Sequence, residues 1–272
     1  MSKDTPAAAA LLIFRGVKAF ELPIALRPPE GPNPCERCAL RTNPAFIDIP
    51  QEQRDAIQSF RRGSRRVDAG GAIIREHRAS TQLFTIYSGW AFRFKTLSDG
   101  RRQILSFLLA GDFIGLQDEF ADGQTHGVEA ASEVHLCVFD RADLWTMFHT
   151  QPRLGYDITW LAAREEKLVD DNLVTAGRRN ASERVAMLLM HIYRRARHAG
   201  LEREGWVHFP FQQQHIADAL GLSLVHTNKT MRRLHHLGLY RIERGWLRIQ
   251  DPQALETLGD YFERPVRPTP LV

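Results

Sequence analysis

Between Val67 and Phe139 the apolar positions fall in short runs separated by glycine: AIIREH, LFTIYSGWAFRFKTLSDGRRQILSFLLAGDFIG and EVHLCVF. Trp90–Phe94 and Gln103–Phe107 each contain alternating apolar positions, the period of a half-buried strand, and Ser98-Asp99-Gly100 reads as the hairpin turn between them. Glycines at 89, 100, 111, 115, 123 and 127 supply the tight corners of a small β-sandwich or barrel. From Leu154 the period changes. Leu154, Ile158, Leu161, Glu165, Leu168, Asn172 and Thr175 recur at spacings of four and three, the seam of a long helix. Such a stripe packs either against a second copy of itself, with Glu165 and Asn172 setting the register, or against the chain's own β-domain; we expect the first. The stretch AGRRNASERV interrupts the pattern, and a further helix is expected from Ser182 toward His198, with Val185, Leu188, Leu189 and Ile192 inward. Five prolines between Pro23 and Pro34 make the preceding segment extended or loop-like, and Ala7–Ile13 within residues 1–34 fits either a short amphipathic helix or a flexible extension.

The stretch FPFQQQHIADALGLSLVHTNKTMRRLHHLGLYRIERGWLRIQ carries the most information. Gln213–Leu220 reads as a short helix, Gly221-Leu222-Ser223 as a turn and Leu224–His236 as a second helix; Ala217 is small where two helices cross, and Gly221 can take the left-handed conformation. Leu239–Ile242 and Trp246–Ile249 follow as a hairpin, so the segment has the grammar of a winged helix-turn-helix. Early positions of the second helix are then the base readers. We expect Val225, His226, Asn228 and Lys229 near the major groove, where Asn228 suits adenine, Lys229 guanine and Val225 a thymine methyl. Ser223, Thr227, Arg232, Arg233 and the wing residue Arg244 are expected on phosphates.

Charge agrees with this. Arg178–Arg248 holds 13 Arg/Lys against 5 Asp/Glu, whereas the rest of the 272 residues holds 23 against 27, so a whole-chain charge of +4 conceals a basic C-terminal segment suited to a polyanion. A composition of 43% hydrophobic and 25% charged residues is that of a soluble globular protein, and no apolar run approaches the ~20 residues of a membrane helix. Three cysteines do not make a disulfide scaffold and no signal peptide is apparent, so the expected setting is the reducing cytoplasm, without membrane attachment.

On these residues the chain resembles the Crp/Fnr superfamily of bacterial transcription regulators, over roughly residues 35 to 258, through LFTIYSGWAFRF, LSDGRRQILSFLLAGDFIG, SEVHLCVF, NASERVAMLL and the helix-turn-helix, and it lies nearer the Fnr/FixK-like branches than the cAMP receptor. The resemblance implies an α+β chain: a cyclic-nucleotide-binding-type β-roll (double-stranded jelly roll) at 46–151, a dimerisation helix at 152–177 and a winged-helix DNA-binding domain at 178–258. An extension at 1–45 and a tail at 259–272 flank them. It implies a homodimer on a near-palindromic double-stranded operator, controlled through the first domain, with RNA polymerase as a partner if the protein activates. In cAMP-responsive relatives a glycine-glutamate pair and an arginine-serine pair hold the nucleotide; the corresponding places here are Gly115-Leu116 and His126-Gly127, without the carboxylate or guanidinium, so cAMP is not expected. The recognition helix also departs from its relatives: Val225 and Lys229 replace a glutamate and an arginine, which puts the familiar operator sequence in doubt.

The oxygen-sensing branch holds a [4Fe-4S] cluster on three N-terminal cysteines in a C-x2-C-x5-C arrangement and one cysteine in the β-roll. Here Cys35, Cys38 and Cys137 match three places, but the third N-terminal place is Pro44. An iron-sulfur cluster with another fourth donor, such as His77 or Asp48, a thiol switch or other metal site, and inert cysteines are all compatible with the residues. Catalysis is not expected. The histidines of the basic segment have no H-x-x-x-H pairing, Asp112, Asp118, Glu119 and Asp122 read as a solvated loop, and no phosphate loop or triad motif occurs. A module that uses the basic winged helix to dock protein is the remaining non-enzymatic alternative.

Overall fold

A computed structural model describes residues 28–30, 34–117, 125–261 and 267–272. Ala7–Ile13, Gly123 and the acidic residues Asp118, Glu119 and Asp122 lie outside these described residues.

After a helix α1 (Gln51–Phe60) the chain enters eight strands: β1 (Arg61–Val67), β2 (Ala72–Ile74), β3 (Gln82–Ser88), β4 (Ala91–Thr96), β5 (Arg102–Leu108), β6 (Phe113–Ile114), β7 (Gly127–Ala130) and β8 (Val134–Asp140). They form two antiparallel sheets, ordered β1-β8-β3-β6 and β2-β7-β4-β5, which enclose Ile74, Phe84, Ile86, Leu108, Val134 and Leu136. The expected hairpin is β4–β5, with Phe92 opposite Phe107 and Gly100 at φ +84 in its turn. Gly89, Gly111 and Gly115 are likewise left-handed corners. Gly127 differs: it begins β7, and a Cβ there would stand 2.5 Å from the Phe94 ring, so it serves a close approach instead of a turn.

Strand β4 and its flanks serve two cores. Ala91 points into the sandwich, whereas Trp90 and Phe92, with Ile104 and Phe107 of β5, belong to a second cluster shared with the C-terminal part of the chain. That part begins after α2 (Leu144–Thr150) and the 27-residue α3 (Pro152–Arg178). Helix α4 (Ala181–His198) is capped by Asn180, whose side chain accepts from the Ser182 and Glu183 amides while Glu183 reaches back; the helix therefore starts before the expected Ser182. A four-stranded sheet, β9 (Glu202–Arg203), β10 (Trp206–His208), β11 (Tyr240–Glu243) and β12 (Trp246–Ile249), has its strands before and after the helix pair α5 (Gln213–Leu220) and α6 (Leu224–His236), and α7 (Pro252–Gly259) follows. The last residues return to the first domain: Thr269 bridges Phe46, and Leu271 and Val272 are buried.

The face of α3 expected to meet a second copy is turned inward. Leu154, Ile158 and Leu161 are buried with Leu83, Phe139 and Met147. Glu165 pairs with the buried Arg93 at 2.8 Å and accepts from Ser106 at 2.8 Å, and Asn172 donates to the Leu105 carbonyl at 2.7 Å. Leu168 lines the crevice between α3 and β5. The four-three spacing is met by the chain's own β4 and β5, since a heptad stripe records that a face is covered and not what covers it. A second stripe at the same spacing, Ala162, Glu166, Val169, Leu173 and Ala176, is exposed, with Leu173 at 70%.

Candidate nucleic-acid interface

Helix α6 owes its position to a turn and two tethers. Gly221 ends α5 at φ +62, a conformation that favours glycine, and Ser223 caps α6 by accepting from the His226 amide at 3.2 Å. Arg184 of α4 donates to the Leu220 carbonyl at 2.8 Å, satisfying the end of α5. The wing is tied to α6 by the Tyr240 hydroxyl, which donates to the Met231 carbonyl at 2.9 Å and whose pKa burial pushes up.

Inward, Thr227, Thr230, Met231 and Leu234 are buried. Outward stand Leu224, Val225 (80% exposed), His226, Lys229, Arg232 and Arg233. Thr227 is fully buried, so the phosphate contact expected of it is ruled out: it precedes Thr230 and Met231 by three and four residues, on the packed side of the helix. Asn228 lies at the edge of the exposed face, half-buried, with its Oδ1 enclosed by protein. Ser223 remains exposed, and Arg244 is exposed at the wing tip with φ +49. Among the described residues none of Lys229, Arg232, Arg233 and Arg244 forms an ion pair, so α6 presents three uncompensated cations on the helix that carries the exposed, apolar Val225, and the wing adds a fourth. Charges held this way suit phosphates on either side of a groove, with short side chains at base level.

This unit is seated on the β4–β5 hairpin. Gln103 donates to the Ala219 carbonyl at 3.1 Å, and the Phe92 and His215 rings lie 4.8 Å apart. Phe211 packs against Phe107 at 4.4 Å and Trp90 at 5.4 Å. Burial and the nearby Arg102 lower the His215 pKa. No linear motif announced these contacts; the apolar residues of FPF and of the hairpin are their only trace.

The fold gathers the three cysteines. Cys35 and Cys137 adjoin one apolar cluster, and Cys38 and Cys137 adjoin another with Leu40, Tyr87 and Leu271. Burial raises the Cys35 thiol and pushes Cys137 up to about 11, with Arg61 opposing the shift. Among the described residues no three His, Cys, Asp or Glu side chains converge on a metal position. Asp48 faces solvent and pairs with Arg54 at 3.5 Å, and Pro44 offers no donor. With Cys35 buried, Cys38 and Cys137 half-buried and no fourth protein donor beside them among the described residues, this arrangement does not by itself supply the four ligands of an iron-sulfur cluster. A thiol favoured in the folded state stabilises the protein below the unfolded pKa of about 9, and that contribution is lost as pH rises through about 11. Urea midpoints measured from pH 8 to 10.5 should therefore fall further for the native protein than for Cys137→Ala; parallel curves would show the thiol is not protected.

At the places corresponding to the nucleotide-holding pairs, Gly115 accepts a hydrogen bond from Arg141 through its carbonyl, Leu116 packs against the apolar cluster of Leu83 and Phe139, and His126 is buried. None of these residues, nor Gly127, lines the two clefts described in this structure.

A β-roll, a long helix and a winged helix-turn-helix in this order define a two-domain DNA-binding regulator. Residues 64–151 match the cyclic nucleotide-binding domain family and residues 183–258 the Crp-like helix-turn-helix domain family. The chain is 30% identical to the nitrogen fixation regulation protein FixK of Bradyrhizobium diazoefficiens over 83% of its own length and 93% of that protein. It is 32% identical to the transcriptional activatory protein AadR of Rhodopseudomonas palustris over 69% and 77%. The solved structure of FixK2 from Bradyrhizobium japonicum superposes with a TM-score of 0.65 at 26% identity, covering 72% of this chain and 96% of that one. The chain belongs to the Crp/Fnr family of transcription regulators; it is a DNA-binding regulator and not an enzyme. No helix among the described residues is long and apolar enough to cross a membrane.

Proposed function

We propose that the protein binds a near-palindromic operator as a homodimer and reads each half-site with Val225, His226 and Lys229, while Ser223, Arg232, Arg233 and Arg244 hold phosphates and Asn228 reaches the edge of the site. The observation that carries this reading is the exposed, uncompensated cationic face of α6. Two copies meet along Ala162, Glu166, Val169, Leu173 and Ala176 of α3, which sets the recognition helices about one helical turn of DNA apart. Control enters through the β-roll, and activation, where it occurs, uses contacts with RNA polymerase from the cytoplasmic dimer. Family likeness and the seating of α5 on β5 support this coupling.

Lys229→Ala is expected to weaken operator binding by about 10-fold and random duplex far less, because a base contact contributes roughly 1–3 kcal/mol of discrimination. Filter binding against competitor DNA measures the ratio. An unchanged ratio removes Lys229 from base readout. Arg232→Ala should weaken both duplexes alike and reduce the salt slope by about 1.

A further inference from the structure

A cleft of about 610 Å³ opens where the β-roll, α3, α4 and the chain's last residues meet, away from the DNA-facing surface of α6. Its apolar wall includes Phe46 and Trp160, and its polar wall is cationic. Arg164 of α3 and Arg195 of α4 share a single carboxylate, Asp112, at 3.4 and 2.7 Å. Arg194 is matched by Glu256. Lys167 and Arg267 also line the cleft, both exposed, and neither forms an ion pair among the described residues. Among the described residues, two guanidiniums against one carboxylate, together with two unmatched cations, leave the cleft about three positive charges in excess. Arginines converging on a concave wall favour oxyanions through bidentate bonds, and the volume lies within the few hundred to ~1,000 Å³ of small-molecule sites.

We infer that this cleft is a binding site for a small organic anion bearing two or three negative charges on phosphate or carboxylate groups. Its walls come from both parts of the molecule, so an anion bridging Lys167 of α3, Arg195 of α4 and Arg267 favours the arrangement in which α4 is docked against α3. Such a ligand shifts the regulator's equilibrium by the ratio of its affinities for the docked and undocked forms. The regulatory half of this inference rests on the DNA-binding reading above; the binding half does not.

The test uses the full chain and three probes at matched ionic strength, inorganic pyrophosphate, citrate and ATP, followed by calorimetric titration. At least one probe should bind once per chain, and Lys167→Ala/Arg267→Ala, which removes only exposed side chains, should weaken it at least 10-fold. Arg232→Ala/Arg233→Ala should bind it as the native protein does. Pyrophosphate or ATP alone marks a phosphate ligand, and citrate alone a carboxylate one. The inference is overturned if no probe binds at about 5 mM, if the Lys167/Arg267 variant binds equally well, or if the Arg232/Arg233 variant is the one that loses binding, since the anions then occupy the DNA surface. Operator binding is measured separately. A chain that binds operator and no anion ends this inference alone, and one that binds anion at the cleft and no operator ends the operator reading together with the regulatory half of this inference, leaving the binding half standing.

Discussion

Leu173→Glu is expected to give a folded monomer whose operator affinity falls by about 10²-fold or more, because a monomer forfeits the second half-site. Leu173 is 70% exposed in the single chain, so the substitution leaves the fold intact while placing a carboxylate at the centre of the proposed α3 seam. Leu168, one residue before Val169 but on the inner face, is the control. It lines the crevice against β5, and Leu168→Glu should lower the melting temperature of the protomer itself. Sedimentation with operator titration separates the two. A Leu173→Glu protein that remains a dimer with native affinity removes this face from the interface.

The second large effect is at Asp112. Its Oδ2 accepts from the Leu109 amide at 2.8 Å and from Arg195 at 2.7 Å, while Oδ1 faces Arg164; the side chain is 7% exposed. Asp112→Ala strips the counter-charge from Arg195, itself 11% exposed, and should cost about 3–5 kcal/mol in urea unfolding. Asp112→Asn restores an acceptor for the amide but no charge, and should recover only a minor part. A loss below about 1 kcal/mol would mean that the guanidiniums find water or another acceptor once the carboxylate is gone.

The parts of this molecule that were legible in its sequence are those specified by neighbours along the chain. The β4–β5 hairpin is written in alternation and a glycine turn, and the α5–α6 unit in two short periodic runs around Gly221. The wing is written in two β-prone runs around Arg244-Gly245. What the sequence does not disclose is which partner a face finds. The stripe from Leu154 to Asn172 has the period of a dimer seam, yet Arg93, Ser106 and the Leu105 carbonyl meet it within the same chain. Thr227 stands early in α6, where phosphate contacts are expected, but one residue away from the face that is exposed. The cationic cleft left no pattern at all, since Lys167, Arg195 and Arg267 become neighbours only when three segments far apart in sequence fold together.

The cluster that joins Trp90, Phe92 and Phe107 to Phe209, Phe211 and Leu220 bears on how the molecule can be taken apart. A cut after α3 follows the change of periodicity, but it passes through a common interior. The excised DNA-binding fragment would carry a bare aromatic patch where β4 and β5 had been, the kind of surface that drives self-association. The isolated β-roll would carry its mirror. Dissection of this regulator into working halves therefore calls for polar replacements at Phe211 and Phe107 at the new surfaces, and the intact chain should melt in one cooperative step.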